Sequence, residues 1–144
     1  MKRIFSIVAI IISTSVFSQT YTISVTRVKM HIMHGNVSYL DAVEFPDKIV
    51  DTTYTDTRHV LNLTDSTCSF YYHGVYVNTV SIVKFENNDN VLHFVMEDYD
   101  VNGLPVHSNF IIDMNNDAVF YYWFNEIQRV TKVEIKTDFK VIVN

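Results

Sequence analysis

The feature that most constrains this sequence is a series of runs rich in branched and aromatic residues, separated by short turn signals and lacking a helical period. Val, Ile, Thr, Tyr, Phe and Trp make up nearly half of the 144 residues, whereas Ala and Leu together occur only eight times. Branched and aromatic side chains suit a pleated strand and lose rotamer freedom in a helix. The sequence therefore predicts an all-β domain.

The runs and the turns between them define the predicted strands. We predict strands over residues 20–34, 37–44, 48–54, 58–63, 67–73, 79–86, 90–101, 104–114, 118–124 and 129–136, with a final strand conceivable over 139–143. Residues 39–43 are the one place that is also compatible with a helical turn. The turns between the runs are built mainly from Asn and Asp, which tolerate positive φ and so allow frequent turning in a chain with three Gly.

Short connections between successive strands predict antiparallel neighbours and exclude βαβ folds. We therefore expect an antiparallel up-and-down meander that closes into a small barrel, with a β-sandwich as the alternative. This architecture resembles that of lipocalins. The Gly-x-Trp element of the first lipocalin strand is absent, however, and the single Trp lies far downstream at Trp123, so no family is assigned.

Asn102-Gly103 is the strongest hairpin signal in the chain. A two-residue turn at these positions would pair Val101 with Leu104 and Asp98 with His107. The core face would then contain Val95, Tyr99, Val106, Phe110 and Ile112. Because a slip of one residue reverses the faces of a strand, this register is a sharp prediction.

A faint internal similarity suggests that one unit occurs twice. Residues 60–66 resemble residues 111–117, and each segment precedes an aromatic run, at 70–72 and at 121–123 respectively. A true repeat would favour an evenly wound barrel or sandwich. The alternative is that any two amphipathic hairpins look alike.

The first 18 residues have the layout of a bacterial-type secretory signal peptide. Lys2 and Arg3 precede an apolar run over residues 4–12, and residues 16–18 have small or modest side chains suited to cleavage. We therefore expect a signal peptide at 1–18, a single β domain at 19–144, and a secreted or periplasmic protein. A membrane anchor is the alternative, although the run is shorter than the roughly 20 residues that a spanning helix needs. We expect no stable membrane span.

Charge and cysteine content exclude several classes of partner and scaffold. The formal net charge is −5 at pH 7, and no cluster of Lys and Arg occurs in the mature part, so we expect no nucleic-acid partner. Cys68 is the only cysteine, which excludes a disulfide scaffold. We expect Cys68 to be a buried small apolar side chain, with a free reactive thiol as the alternative.

Two segments contain residue types that bind metals. Residues 98–103, Asp-Tyr-Asp-Val-Asn-Gly, match the opening of a calcium loop, but position twelve is Asn109 rather than a bidentate Glu, and a hairpin explains the same residues. Residues 30–34, Met-His-Ile-Met-His, contain thioether and imidazole groups that suit copper. On a strand these side chains point alternately to two faces and cannot converge. We expect no metal or other cofactor.

The sequence contains no motif that identifies an enzyme. It has no Gly-x-Ser-x-Gly elbow, no zinc-protease helix and no glycine-rich phosphate loop. Asp98 and His107, expected to face each other, would be half of a nucleophilic triad if Cys68 or a serine joined them. A plain cross-strand ion pair is the simpler interpretation. A hydrolase is therefore the least favoured function.

Aromatic runs with rings on both faces of a strand are the least ordinary feature of the chain. Only one face can join the core, so the other is available for stacking on a sugar or anchoring an interface. The candidate ligand-binding residues are Tyr71, Tyr72, Tyr76, Tyr122, Trp123 and Phe124. The favoured hypothesis is a non-enzymatic domain that binds a small apolar or sugar-like ligand through this surface or through the barrel interior. A structural or envelope-associated protein-interaction module is the alternative.

Overall fold

The computed structural model describes residues 19–144, which form a closed barrel of eight antiparallel strands and one short helix. The elements are β1 Thr20–His34, α1 Tyr39–Glu44, β2 Lys48–Asn62, β3 Thr67–Tyr72, β4 Val75–Asn88, β5 Val91–Tyr99, β6 Pro105–Asp113, β7 Ala118–Asn125 and β8 Val130–Val143. The predicted all-β barrel is confirmed, and the alternative sandwich is not formed. The predicted signal peptide at 1–18 lies outside the described residues.

Each strand pairs with its neighbours in the chain, and β8 returns to pair with β1. At this closure Thr20 and Asn144 exchange two backbone hydrogen bonds, both of 2.9 Å. In the described part of the chain, no helix is long and apolar enough to cross a membrane.

The strand predicted at 37–44 is wrong, because most of this segment forms α1. Ser38 caps the helix, since its hydroxyl accepts a hydrogen bond from the Asp41 N–H at 3.1 Å. Ala42 of α1 is fully buried, and the His31 Nδ1–H donates to the Val43 carbonyl at 3.1 Å. These contacts hold α1 against the barrel wall and outweigh the strand propensity of its residues.

Two pairs of predicted strands are in fact single long strands. The segments 48–54 and 58–63 are joined in β2, and the segments 129–136 and 139–143 are joined in β8. The break expected in β2 coincides with Asp56, which has a positive φ of 45°, and with a register shift between Val25 and Arg27 on β1. Bulges bend a strand without ending it, and such bending allows a sheet to close on itself.

The register predicted for the β5–β6 hairpin is wrong by one residue. Tyr99 pairs with Pro105, and Glu97 rather than Asp98 pairs with His107. The turn has three residues between Asp100 and Leu104, because the Gly103 N–H donates to the Asp100 carbonyl at 3.0 Å and Gly103 has a φ of 77°. A type I turn followed by a left-handed glycine adds one residue to the two-residue turn that Asn-Gly signals.

The extra residue reverses the predicted faces of β5 and preserves those of β6. On β5, Phe94 and Met96 are fully buried inside the barrel, whereas Tyr99 is 63% exposed. On β6, Phe110 and Ile112 are buried as predicted. Hydrophobic side chains form a core inside the barrel, and a cavity opens near the β5–β6 turn.

Turns with little glycine were predicted from the Asn and Asp content, and the backbone confirms this. Asp89 and Asn90 both have positive φ and form the two-residue turn between β4 and β5. Gly74 occupies the corresponding position between β3 and β4, with a φ of 73°. A Cβ at Gly74 would lie 2.5 Å from a carboxylate oxygen of Asp56, so a side chain there would require this carboxylate to move aside.

Candidate functional site

A cavity of about 370 Å³ opens at the end of the barrel near the β5–β6 turn, between β4 and the β5–β6 hairpin. The ladder between β4 and β5 begins at the pair Ser81 and Glu97, although β4 starts at Val75 and β5 continues to Tyr99. The two strands therefore separate toward the open end. This separation exposes part of the barrel interior.

Aromatic rings form one continuous wall of this cavity. Phe70 comes from β3, and Tyr121 and Trp123 come from β7. The centroid of the Tyr121 ring lies 5.1 Å from that of Trp123 and 5.9 Å from that of Phe70. Tyr121 also stacks on the buried ring of Phe110 at 4.6 Å, which fixes the wall to the core. Aromatic pairs at such distances stabilise one another beyond their area of burial.

Polar groups lie at the rim of the cavity. Asp98 of β5, Asn78 of β4 and Ser108 of β6 all contribute to the lining. The Asp98 carboxylate accepts a hydrogen bond from the Tyr99 N–H at 2.8 Å, which holds it at the rim. Among the described residues, Asp98 is the only lining residue with a formal charge at neutral pH. The cavity thus combines an apolar wall with a few polar groups, as small-molecule sites commonly do.

Burial keeps the phenol groups of the cavity neutral. Loss of solvent raises the pKa of Tyr121 to about 12, although a hydrogen bond with Ser108 opposes the rise. Burial is also the main cause that raises the pKa of Tyr72, and the negative charge of Glu134 adds to it. Both side chains are therefore neutral hydrogen-bonding groups at physiological pH.

Beneath the aromatic wall, the barrel interior contains a buried ion pair. Lys136 of β8 is 3% exposed and donates a hydrogen bond to Glu134, which is also buried. The ammonium group lies 5.8 Å from the centroid of the Tyr121 ring. Burial lowers the pKa of Lys136, and Glu134 opposes this change by favouring the charged form. The opposite charges of Lys136 and Glu134 therefore largely compensate each other.

His59 of β2 is the least satisfied polar group in the interior. It is 1% exposed, and neither ring nitrogen has a hydrogen-bond partner among the described residues. Its ring centroid lies 5.2 Å from that of Phe70 and 5.2 Å from that of Phe110. Burial, and secondarily the positive charge of Lys136, lower the pKa of His59 well below its usual range. His59 is therefore neutral within an aromatic environment.

Two of the six predicted binding residues, Tyr72 and Trp123, line the cavity. Tyr71 and Tyr76 lie together on the outer face, with ring centroids 5.7 Å apart. The guanidinium of Arg58 covers the Tyr71 ring at 4.4 Å from its centroid.

The other two predicted residues, Tyr122 and Phe124, also point outward from β7. Tyr122 stacks on Tyr39 of α1 with a centroid distance of 4.9 Å, which helps to hold the helix. Phe124 borders a smaller cavity of about 190 Å³, which is also lined by Pro105 and His107 of the β5–β6 hairpin. The six residues are thus divided among the cavity, the outer face of β3 and β4, and the helix-covered face.

The pair predicted between Asp98 and His107 is wrong, because the register places Glu97 opposite His107. The distance from His107 Nε2 to the Glu97 carboxylate is 3.0 Å. Cys68 is fully buried, as predicted, and burial raises the pKa of its thiol, which suppresses the reactive thiolate. Cys68 and His107 do not line the aromatic cavity.

The two candidate metal segments are engaged in ordinary structural contacts. An Asp100 carboxylate oxygen accepts hydrogen bonds from the N–H groups of Asn102 and Leu104 at 2.8 and 2.9 Å, which stabilises the turn. His31 faces α1 while Met30 lies on the opposite face of β1. Within residues 19–144, no group of three or more His, Cys, Asp or Glu side chains is arranged to hold a metal ion.

Several residues of the site were missed from the sequence. Phe70 and Tyr121 each lie two positions before a predicted residue, Tyr72 and Trp123, so strand alternation alone could have placed all four on the interior face. Asp98 was assigned to the wrong face because of the register error. In comparisons with known proteins, the chain matches no protein-family model, no curated protein and no solved structure.

Proposed function

We propose that this chain is an exported barrel that binds a small organic ligand in the aromatic cavity. The observation that carries the proposal is the opening between β4 and β5, which exposes an ordered aromatic wall inside the barrel. A volume of about 370 Å³ lies within the range of known small-molecule pockets. Export is inferred from residues 1–18, whose sequence is typical of a signal peptide.

The outer aromatic residues are weaker candidates for this ligand. Tyr122 is already stacked on Tyr39, and Tyr71 is covered by Arg58. The rings of Tyr72 and Trp123 instead border open space. We therefore assign binding to the cavity rather than to the surface as a whole.

Native mass spectrometry of the purified mature chain would detect a carried ligand, and calorimetry would then measure its affinity. Ser108→Phe and Val106→Phe each place a ring in the cavity and are expected to abolish binding, with circular dichroism checking that the barrel is intact. Tyr76→Ser, on the outer face, is the matched control and is expected to bind normally. Binding that survives both filling variants would contradict the proposal.

A protein-interaction function is the second candidate, and the first part of β4 favours it. Val75, Tyr76 and Val77 are each more than half exposed and lie where β4 has no ladder with β5. An unpaired strand edge with apolar side chains can accept a further strand. If this candidate is correct, sedimentation of the purified chain is expected to show a dimer, and Val77→Lys is expected to dissociate the dimer into monomers. A concentration-independent monomer would count against this candidate.

A further inference from the structure

We infer that the ligand of the aromatic cavity is a small organic cation, namely an ammonium group on an apolar or aromatic body. This inference rests on the proposed binding function and adds the chemical class of the ligand. The geometry that supports it is the position of a carboxylate, Asp98, at the rim of a cavity walled by the rings of Phe70, Tyr72, Tyr121 and Trp123.

The aromatic wall suits a cation because the face of an aromatic ring is electrostatically negative. A cation within about 6 Å of a ring centroid is attracted by this face, most strongly by tryptophan. Tyr121 and Trp123 lie side by side, and Phe70 continues the wall on the other side of Tyr121. A buried ammonium group can therefore contact several rings while its apolar body displaces water from them.

Asp98 supplies the formal negative charge that an ammonium group needs. It pairs with Val106 in the β5–β6 ladder, and both side chains lie on the inward face of the hairpin and line the cavity. The hydrogen bond from the Tyr99 N–H orients the carboxylate without neutralising it. A carboxylate at the mouth and rings at the wall form two parts of one recognition site.

The nearby basic groups do not oppose this arrangement. Lys136 lies beneath Tyr121 and is paired with Glu134, so its charge is compensated. Lys132 lies opposite Trp123 in the β7–β8 ladder but does not line the cavity. If Lys132 instead determined which ligand charge the cavity prefers, an anion would bind more tightly than a cation. The experiment below separates these cases.

Trp123 is the only tryptophan in the chain, so its fluorescence reports directly on the cavity. Titrations at pH 7.5 would use three probes of similar shape: 2-phenylethylammonium, neutral 2-phenylethanol and anionic 3-phenylpropionate. We expect the cation to bind at least about tenfold more tightly than the alcohol, and the anion to bind most weakly. Added salt should weaken the binding of the cation, because part of its attraction is electrostatic.

Asp98→Asn keeps the shape and the hydrogen-bond acceptor but removes the charge. We expect it to lower the affinity for the cation about tenfold or more and to leave the affinity for the alcohol unchanged. Glu44→Gln, on the exposed end of α1, removes the same charge at a residue that does not line the cavity and is the matched control. It is expected to bind all three probes like the unmodified chain.

The outcomes separate this inference from the proposed function. Equal affinity for the cation and the alcohol, or a preference for the anion, would overturn the inference while leaving a ligand-binding cavity. Retention of cation binding by both Ser108→Phe and Val106→Phe would place the probe outside the cavity and overturn both. Absence of any change in Trp123 fluorescence with all three probes would also overturn the cation assignment.

Discussion

Replacing His59 with leucine is expected to stabilise the barrel by about 1 kcal/mol at pH 7.5. The imidazole is buried with neither nitrogen hydrogen-bonded, and an unpaired buried polar group costs about 1–3 kcal/mol. Leucine has a similar volume and no polar atoms, so this cost disappears. Loss of the ring contacts with Phe70 and Phe110 offsets part of the gain.

The same substitution is expected to change how stability depends on pH. Because the pKa of His59 is lowered in the folded state, the unfolded chain binds more protons below its own pKa of about 6.5. Protonation of His59 therefore costs no stability above about pH 7, and below pH 6.5 the free energy of unfolding falls by at most about 1.4 kcal/mol per pH unit. The decline continues until the pH reaches the lowered pKa of the folded state. The leucine variant lacks this loss of stability in acid.

Urea denaturation followed by circular dichroism at pH 7.5, 6.5, 5.5 and 4.5 would measure both effects. The advantage of His59→Leu over the unmodified chain should grow as the pH falls from 7.5 to 4.5, by at most about 1.4 kcal/mol per pH unit. His59→Phe is the control for packing, since its absolute stability can differ while its pH dependence must match that of the leucine variant. An advantage that stays constant with pH, or shrinks in acid, would refute the reasoning, because His59 would then be protonated in the folded barrel.

Three further predictions follow from buried or sterically restricted positions. Gly103→Ala is expected to lower the free energy of unfolding by about 1 kcal/mol because of its positive φ, and Gly74→Ala is expected to cost more because the Asp56 carboxylate must also move aside. Equal costs in urea denaturation would contradict this. Cys68 is expected to react with a thiol reagent at pH 8 only after unfolding, and rapid labelling of the native chain would disprove its burial. Lys136→Met should lower the free energy of unfolding by about 3–5 kcal/mol, because it leaves Glu134 buried without a counter-ion. Thermal melts should show that adding Glu134→Leu to this variant recovers most of the lost stability.

The strand character of the chain was predictable from the sequence because it depends on local composition and turn chemistry. The barrel itself followed from short sequential connections, which leave few alternatives to a meander. The boundaries were less predictable where tertiary contacts decided the outcome. Residues 37–44 have strand propensity, yet contacts of Ala42 and His31 with the barrel stabilise a helix there.

The candidate site was predictable only in part, because it depends on register. Tyr72 and Trp123 were identified from their aromatic runs, but which rings face inward depends on the pairing of whole strands. The Asn102-Gly103 signal predicted the correct hairpin but a turn that is one residue too short. This difference of one residue moved Asp98 from the predicted outer face to the cavity. The suspected repeat aligns Phe70 with Tyr121 and Tyr72 with Trp123, and all four line the cavity.

The pairing of β1 with β8 has a kinetic consequence for the whole domain. These strands are the first and last in the described chain, and their ladder extends from Tyr21 opposite Val143 to His34 opposite Val130. The contacts of this seam join residues that are far apart in sequence, and folding slows as such high-contact-order pairings become more numerous. Until the seam forms, β1 and β8 each leave an edge open to pairing with another molecule. Aggregation during refolding is therefore expected to compete with ring closure and to increase with protein concentration.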